Sequence, residues 1–166
     1  MPLPIAHGAI EKGHVPGNAG QRLSGVNGAR ASTYHDGKFT LVVVLPGRCR
    51  SHDIGSMADQ AVASFGRVDI LVNNAALYGG LKGARFEHLE EDQWDAVMTV
   101  NVKGLWQCCK AVVEPMRAGG GGSIINIASL AAVYGLPYGL DYVASKSAVI
   151  GMTRGMAREL GKDSIR

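Results

Sequence analysis

The chain has 166 residues, of which 46% are hydrophobic and 19% charged, enough for one globular domain with a sizeable core. Its formal net charge of +3 is too small to call for a nucleic-acid partner. The charge is also uneven, with six Lys/Arg against two Asp/Glu in residues 1–52 and eleven against twelve in 53–166, and the basic residues of the first part lack interleaved aromatics.

Residues 1–38 are rich in Gly and carry Pro2, Pro4 and Pro16, with neither a two-residue nor a 3.6-residue apolar period, so an irregular or disordered segment is expected there. A domain is expected from residue 39 onward. The run 39–45, FTLVVVL, reads as its first strand, ended by Pro46 and Gly47. Met57, Ala61, Val62 and Phe65 then make a short helical stripe over 54–65, stopped by Gly66, with Asp53 placed as its N-cap. RVDILVN, 67–73, is a second strand, apolar at its centre as a parallel strand buried on both faces is.

A loop rich in Gly follows over 75–85. Trp94, Val97, Met98, Asn101, Leu105, Cys108, Val112 and Met116 then share one stripe of a long helix, about 91–117. Asn101 interrupts that stripe, and a buried amide must find partners. It either ties a local backbone bend or serves a site. Gly119 to Gly122 turn the chain into a third strand, 123–128, read as buried, and a last helix is expected over about 141–160. Strands alternating with helices imply an α/β fold, here part of a Rossmann-like doubly wound parallel sheet.

The chemistry concentrates in residues 129–146, SLAAVYGLPYGLDYVASK. Tyr142 and Lys146 are four apart and therefore neighbours on one helix face. A fixed positive charge beside a phenol favours the phenolate, so the pair suits proton transfer near neutrality. Tyr142, Ser145, Lys146, Val149, Met152, Met156 and Leu160 follow the spacing of an apolar stripe. A lysine on such a stripe is unusual, because burying an ammonium without a partner is costly. Ser129 ends the third strand, where a hydroxyl meets the crevice in which open α/β sheets bind ligands. Ala144, Ala148, Gly151 and Gly155 form a second row of small residues, fit for close approach by a helix of the same domain or of a second subunit.

These residues resemble the short-chain dehydrogenases/reductases. The marks are Asn73-Asn74-Ala75-Ala76 after a strand, where the family usually has NNAG; Asn101 in VNVKG; Ser129 after IINIAS; and Tyr142 to Lys146. The resemblance covers about 53–166 and implies hydride transfer between NAD or NADP and a small-molecule alcohol or ketone. It places Tyr142 as general acid and base, Lys146 beside it and on the nicotinamide ribose, Ser129 on the substrate oxygen, and Asn101 on a water leading from Lys146 to solvent. Asn73 and Ala75 join Tyr142 and Lys146 in holding the cofactor. The small-residue face implies a homodimer or homotetramer through the long helices.

The family also opens with a TGxxxGxG turn on the cofactor pyrophosphate. Gly17-Asn18-Ala19-Gly20 does not match it, and the chain stops at Arg166 where the family continues. The alternative expectation is a non-catalytic truncated fragment that keeps the fold's middle and an oligomerisation face.

No metal site is expected, since His7, His14, His35, His52 and His88 show no HxH or HxxxH spacing, and Cys49, Cys108 and Cys109 form no CxxC pair. No apolar run approaches the ~20 residues needed to span a bilayer, and the N-terminus lacks the basic-then-apolar order of a signal peptide. No membrane association and a cytoplasmic setting are therefore expected.

Overall fold

The computed structural model describes residues 31–35, 40–44 and 51–166. They form a four-stranded sheet in the order β1 (Ala31–His35), β2 (Thr40–Val44), β3 (Ile70–Asn73) and β4 (Ser123–Asn126). β2, β3 and β4 run parallel, with Val44 opposite Asn73 and Asn73 opposite Asn126. The strands thus end level with one another, at the edge that leads to Asn74 and Ser129. Helix α1 (Ser51–Phe65) crosses from β2 to β3. Helices α2 (Glu91–Met98) and α3 (Leu105–Ala118), joined by a π-helical turn over Thr99–Gly104, cross from β3 to β4. A short α4 (Ala131–Tyr134) then leads to α5 (Leu140–Leu160).

Of the stripe expected on α1, Met57 and Ala61 are buried while Val62 and Phe65 are half-buried. Ile54, Met57, Ala58 and Ala61 of α1 share one core with Leu71 of β3, Cys108, Cys109, Val112 and Met116 of α3 and Val149 of α5. Burial of such side chains is worth about 1.5–3 kcal/mol apiece, so this cluster dominates the stability of the domain. On β3 the burial alternates, with Leu71 and Asn73 fully inside and Ile70 and Val72 only partly so. The glycine turn before β4 is required by crowding. A Cβ on Gly122 would lie 2.6 Å from Met116 Sδ, and Gly121, at φ +135°, has Ser164 O 2.6 Å from where its Cβ would be.

Four features depart from the sequence reading. Residues 31–35, inside the segment expected to be irregular, form β1, which pairs antiparallel with β2. Backbone pairing at a sheet edge needs no apolar alternation to make a strand, so the sequence carries no period there. The glycines at 17–20 and the strand's flank at 46–47 lie outside the described residues. Helix α1 starts at Ser51, so Asp53 sits inside its first turn rather than at its cap. The single helix expected over 91–117 is broken by the π turn, at Asn101. Finally, the strand expected over 123–128 ends at Asn126 and is not buried throughout: Ile125 is 44% exposed and Ile127, just past it, 40%. The outer edge of β4 is met by the backbone of Ile165 and Arg166, with Ile124 N–H donating to Arg166 O at 2.7 Å and Arg166 N–H to Gly122 O at 3.1 Å.

Candidate active site

Tyr142 and Lys146 lie on the first two turns of α5, at the edge where β3 and β4 end. Lys146 is only 4% exposed, and its Nζ donates to the carbonyl of Ile127, just past β4, at 2.7 Å. The same Nζ stands 5.9 Å from the centre of the Tyr142 ring, within range of a cation–π contact. Among the described residues its partner is a carbonyl rather than a carboxylate. Burial therefore works unopposed and lowers the Lys146 pKa from its ordinary 10.5. The Tyr142 ring is half-buried and packs on Tyr78, with centroids 4.6 Å apart and planes at 47°.

Ser129 stands in the turn between β4 and α4. Its Oγ accepts the Ala131 N–H at 3.2 Å, which starts α4 and leaves the hydroxyl proton to be donated outward. Four residues are too few to show a helical period, which is why α4 is not legible in the sequence.

Asn101 sits in the backbone bend and hydrogen-bonds the helix that carries Tyr142. Buried in the π turn, it accepts the Leu77 N–H at Oδ1 (2.6 Å) and donates from Nδ2 to Leu77 O (3.2 Å) and Ser145 Oγ (3.0 Å). Ser145 in turn donates to the Tyr142 carbonyl at 2.8 Å. A π turn inside a helix commonly marks a functional position. Here it swings one amide toward both the loop after β3 and the helix of Tyr142. Asn101→Leu strands the Leu77 groups and Ser145, and is expected to cost about 3 kcal/mol, read as a lower urea midpoint at unchanged slope.

Asn73 is 4% exposed and turned inward, donating to Cys109 Sγ (3.2 Å) and Asn126 Oδ1 (2.9 Å). Its side chain therefore ties β3 to α3 and β4, and its Oδ1 finds no partner among the described residues. Burial pushes the Cys109 thiol up to about 11, which keeps it protonated as it packs in the core. Ala75 is half-buried beyond the end of β3 and touches the core cluster.

Two residues at the site were not singled out from sequence. Gln93 of α2 accepts the Lys82 N–H at Oε1 (2.9 Å) and donates from Nε2 to Lys82 O (3.1 Å) and Asp141 Oδ2 (2.8 Å). Asp141 is 1% exposed, and its Oδ1 accepts the N–H of Tyr142 at 2.8 Å. An acid in the first turn of a helix is favoured by the helix dipole, but that signal alone does not reveal a partner 48 residues away in sequence.

Ser129 thus follows β4 by three residues, while Asn101 in the π turn is hydrogen-bonded to the helix that carries Tyr142 and Lys146 on one face. The description "short chain dehydrogenase" belongs to the family model that matches residues 35–166. The chain belongs to this family. Among curated relatives, a 3-oxoacyl-(acyl-carrier-protein) reductase FabG of Thermotoga maritima is 40% identical over 113 residues, 68% of this chain and 45% of the relative. A 3alpha-hydroxysteroid dehydrogenase of Mediterraneibacter gnavus is 39% identical over 113 residues, 68% of this chain and 44% of the relative. Among solved structures, NAD+-bound xylitol dehydrogenase superposes with a TM-score of 0.67 at 34% identity, covering 70% of this chain and 44% of that one. The chain thus spans about half the length of the short-chain dehydrogenases it matches. Their likeness carries the α/β Rossmann-type fold. No helix among the described residues is long and apolar enough to cross a membrane, and no group of three or more His, Cys, Asp or Glu side chains among them is placed to hold a metal.

Proposed function

We propose that this chain serves an NAD(P)-dependent oxidoreductase that interconverts a small-molecule alcohol and its ketone, with Tyr142 as proton donor and acceptor. The observation that carries the reading is the Lys146 ammonium, buried with no carboxylate partner among the described residues and held between the Ile127 carbonyl and the Tyr142 ring. A desolvated cation with no structural counter-charge is a poor stabiliser, and its place beside the phenol gives it a chemical use.

The residues present fit a nicotinamide nucleotide at this edge. Lys146 spends one of three N–H donors on Ile127, which leaves two for a ribose diol. When bound, NAD(P) supplies or accepts the hydride at the substrate carbon. Tyr142 passes its phenolic proton to the carbonyl oxygen in reduction and takes it back in oxidation. Ser129 donates its free hydroxyl proton to the same oxygen and stabilises the charge that develops there. Asn73 and Ala75 shape the floor beneath the cofactor from the end of β3, Asn73 through the backbone it fixes.

Assembly as a homodimer or homotetramer through α3 and α5 belongs to the same proposal. Gly151 and Gly155 of α5 are exposed, with nothing within 4 Å of an added Cβ, and Trp106 of α3 lies on the surface.

The test is a titration with NADH and with NADPH, read by nicotinamide fluorescence and melting temperature, followed by turnover of acetoacetyl-coenzyme A and a 3-ketosteroid with the reduced nucleotide and of xylitol with NAD+ or NADP+. Saturable binding of one nucleotide with a raised melting temperature, and turnover of at least one substrate, is the expected result. No binding and no turnover overturns the proposal.

A further inference from the structure

Two side-chain amides repeat one arrangement along the face of α5 that carries Tyr142. Asn101 brackets the N–H and C=O of Leu77 and donates its remaining proton to Ser145. Gln93 brackets the N–H and C=O of Lys82 and donates its remaining proton to Asp141. Leu77 and Lys82 belong to one loop, and Asp141 and Ser145 are one helical turn apart on either side of Tyr142. Each α5 partner also holds the Tyr142 backbone, Asp141 through its N–H and Ser145 through its C=O. A third link, Ala84 N–H to Tyr138 O at 3.1 Å, ties the same loop to the turn entering α5.

The geometry points to Gln93 and Asp141 as a positioning pair for Tyr142, fastening the loop that carries Tyr78 to the first turn of α5. The inference rests on the proposed role of Tyr142 and adds two residues to it. Neither of the pair touches the reacting atoms. Asp141 is buried beside the phenol's own residue, and a carboxylate there is held by two donors, the Tyr142 N–H and Gln93 Nε2. The Gln93 bonds to Lys82 are exposed, so they add little to global stability. What they set is the height of the loop over the phenol. A misplacement of about 1 Å in such a constellation costs on the order of 10²-fold in rate, and supporting residues of this kind hold a catalytic group in register.

The experiment compares Gln93→Met, Asp141→Ala, the double variant and Tyr142→Phe in the full chain, with NADPH or NADH and acetoacetyl-coenzyme A. Each single variant of the pair is expected to lower kcat about tenfold at unchanged KM and unchanged nucleotide affinity. The double variant should be no worse than either single one, as two ends of one contact behave. Amide exchange should quicken at Lys82 in Gln93→Met and stay slow at Leu77, which Asn101 holds. A wild-type kcat in Gln93→Met with Lys82 released overturns the pair while leaving the dehydrogenase proposal standing. Normal turnover in Tyr142→Phe overturns that proposal instead. If the wild type reduces no substrate, the same variants are read on Tyr142 itself with 13C-labelled tyrosine. Its ring signals shift in Gln93→Met if the pair sets its position, and unmoved signals overturn the pair. If Asp141→Ala fails to fold, Gln93→Met carries the test alone.

Discussion

Tyr142→Phe is expected to lower turnover by roughly 10³-fold, the middle of the range for loss of a general acid, while nucleotide affinity stays within about twofold. The separation follows from what the hydroxyl does in the fold. The ring, not the hydroxyl, makes the contact with Tyr78 and the approach to Lys146, so Phe keeps both. The bonds that hold residue 142 in place run through its backbone N–H and C=O, to Asp141 and Ser145, and are indifferent to the side chain. Melting temperature should therefore move little, and the loss should fall on kcat alone, the signature of a group used in the transition state. Near-normal turnover in this variant removes Tyr142 from the proton-transfer step, and with it the reading of the site.

Much of this arrangement is legible in the sequence because it is built on periodicity. Of the two stripes, Val97, Asn101, Leu105, Cys108, Val112 and Met116, and Ser145, Lys146, Val149 and Leu160, are buried, while Trp94, Met98, Tyr142, Met152 and Met156 are half-buried. Those stripes rotate Asn101 and Lys146 into the protein, which makes both visible as polar residues on apolar faces. The π turn is hidden for the same reason: the apolar period runs on through residues 97–116 and gives no sign that the backbone has changed its pitch. Gln93 and Asp141 are hidden differently. Gln93 is only half-buried and lies off the stripe, and Asp141 resembles any acid in a first helical turn. Their pairing depends on the path of the loop between β3 and α2, and loop paths are set by tertiary contacts rather than by local pattern. The exposed faces of Ile125 and Ile127 mislead in the opposite direction, since an apolar run states a preference for burial without naming what covers it.

Lys146→Met is expected to separate stability from function. Burial lowers the Lys146 pKa below 10.5, the value its unfolded form takes, so between the two values the unfolded chain binds more protons than the folded one. Stability must then rise with pH across the alkaline window that ends near 10.5, and the contribution is lost as pH falls through the folded value. Methionine has a similar linear shape and no ammonium to desolvate. At pH 7 the variant forfeits the bond to Ile127 O, worth about 1 kcal/mol, and escapes the burial of a charge, which costs at least as much. The variant is expected to be as stable as the parent at pH 7 or about 1 kcal/mol more so, and to lack the alkaline gain in urea titrations run from pH 7 to 10.5. Function should move the other way. Loss of a charge-assisted ribose contact weakens nucleotide binding about tenfold, and loss of the charge beside Tyr142 lowers kcat by a further ~10²-fold. An inactive but undiminished or sturdier Lys146→Met would mean that the ammonium is buried for chemistry. A destabilised variant that keeps its turnover would mean that Lys146 is a strut between α5 and the end of β4, and that the proton leaves by another route.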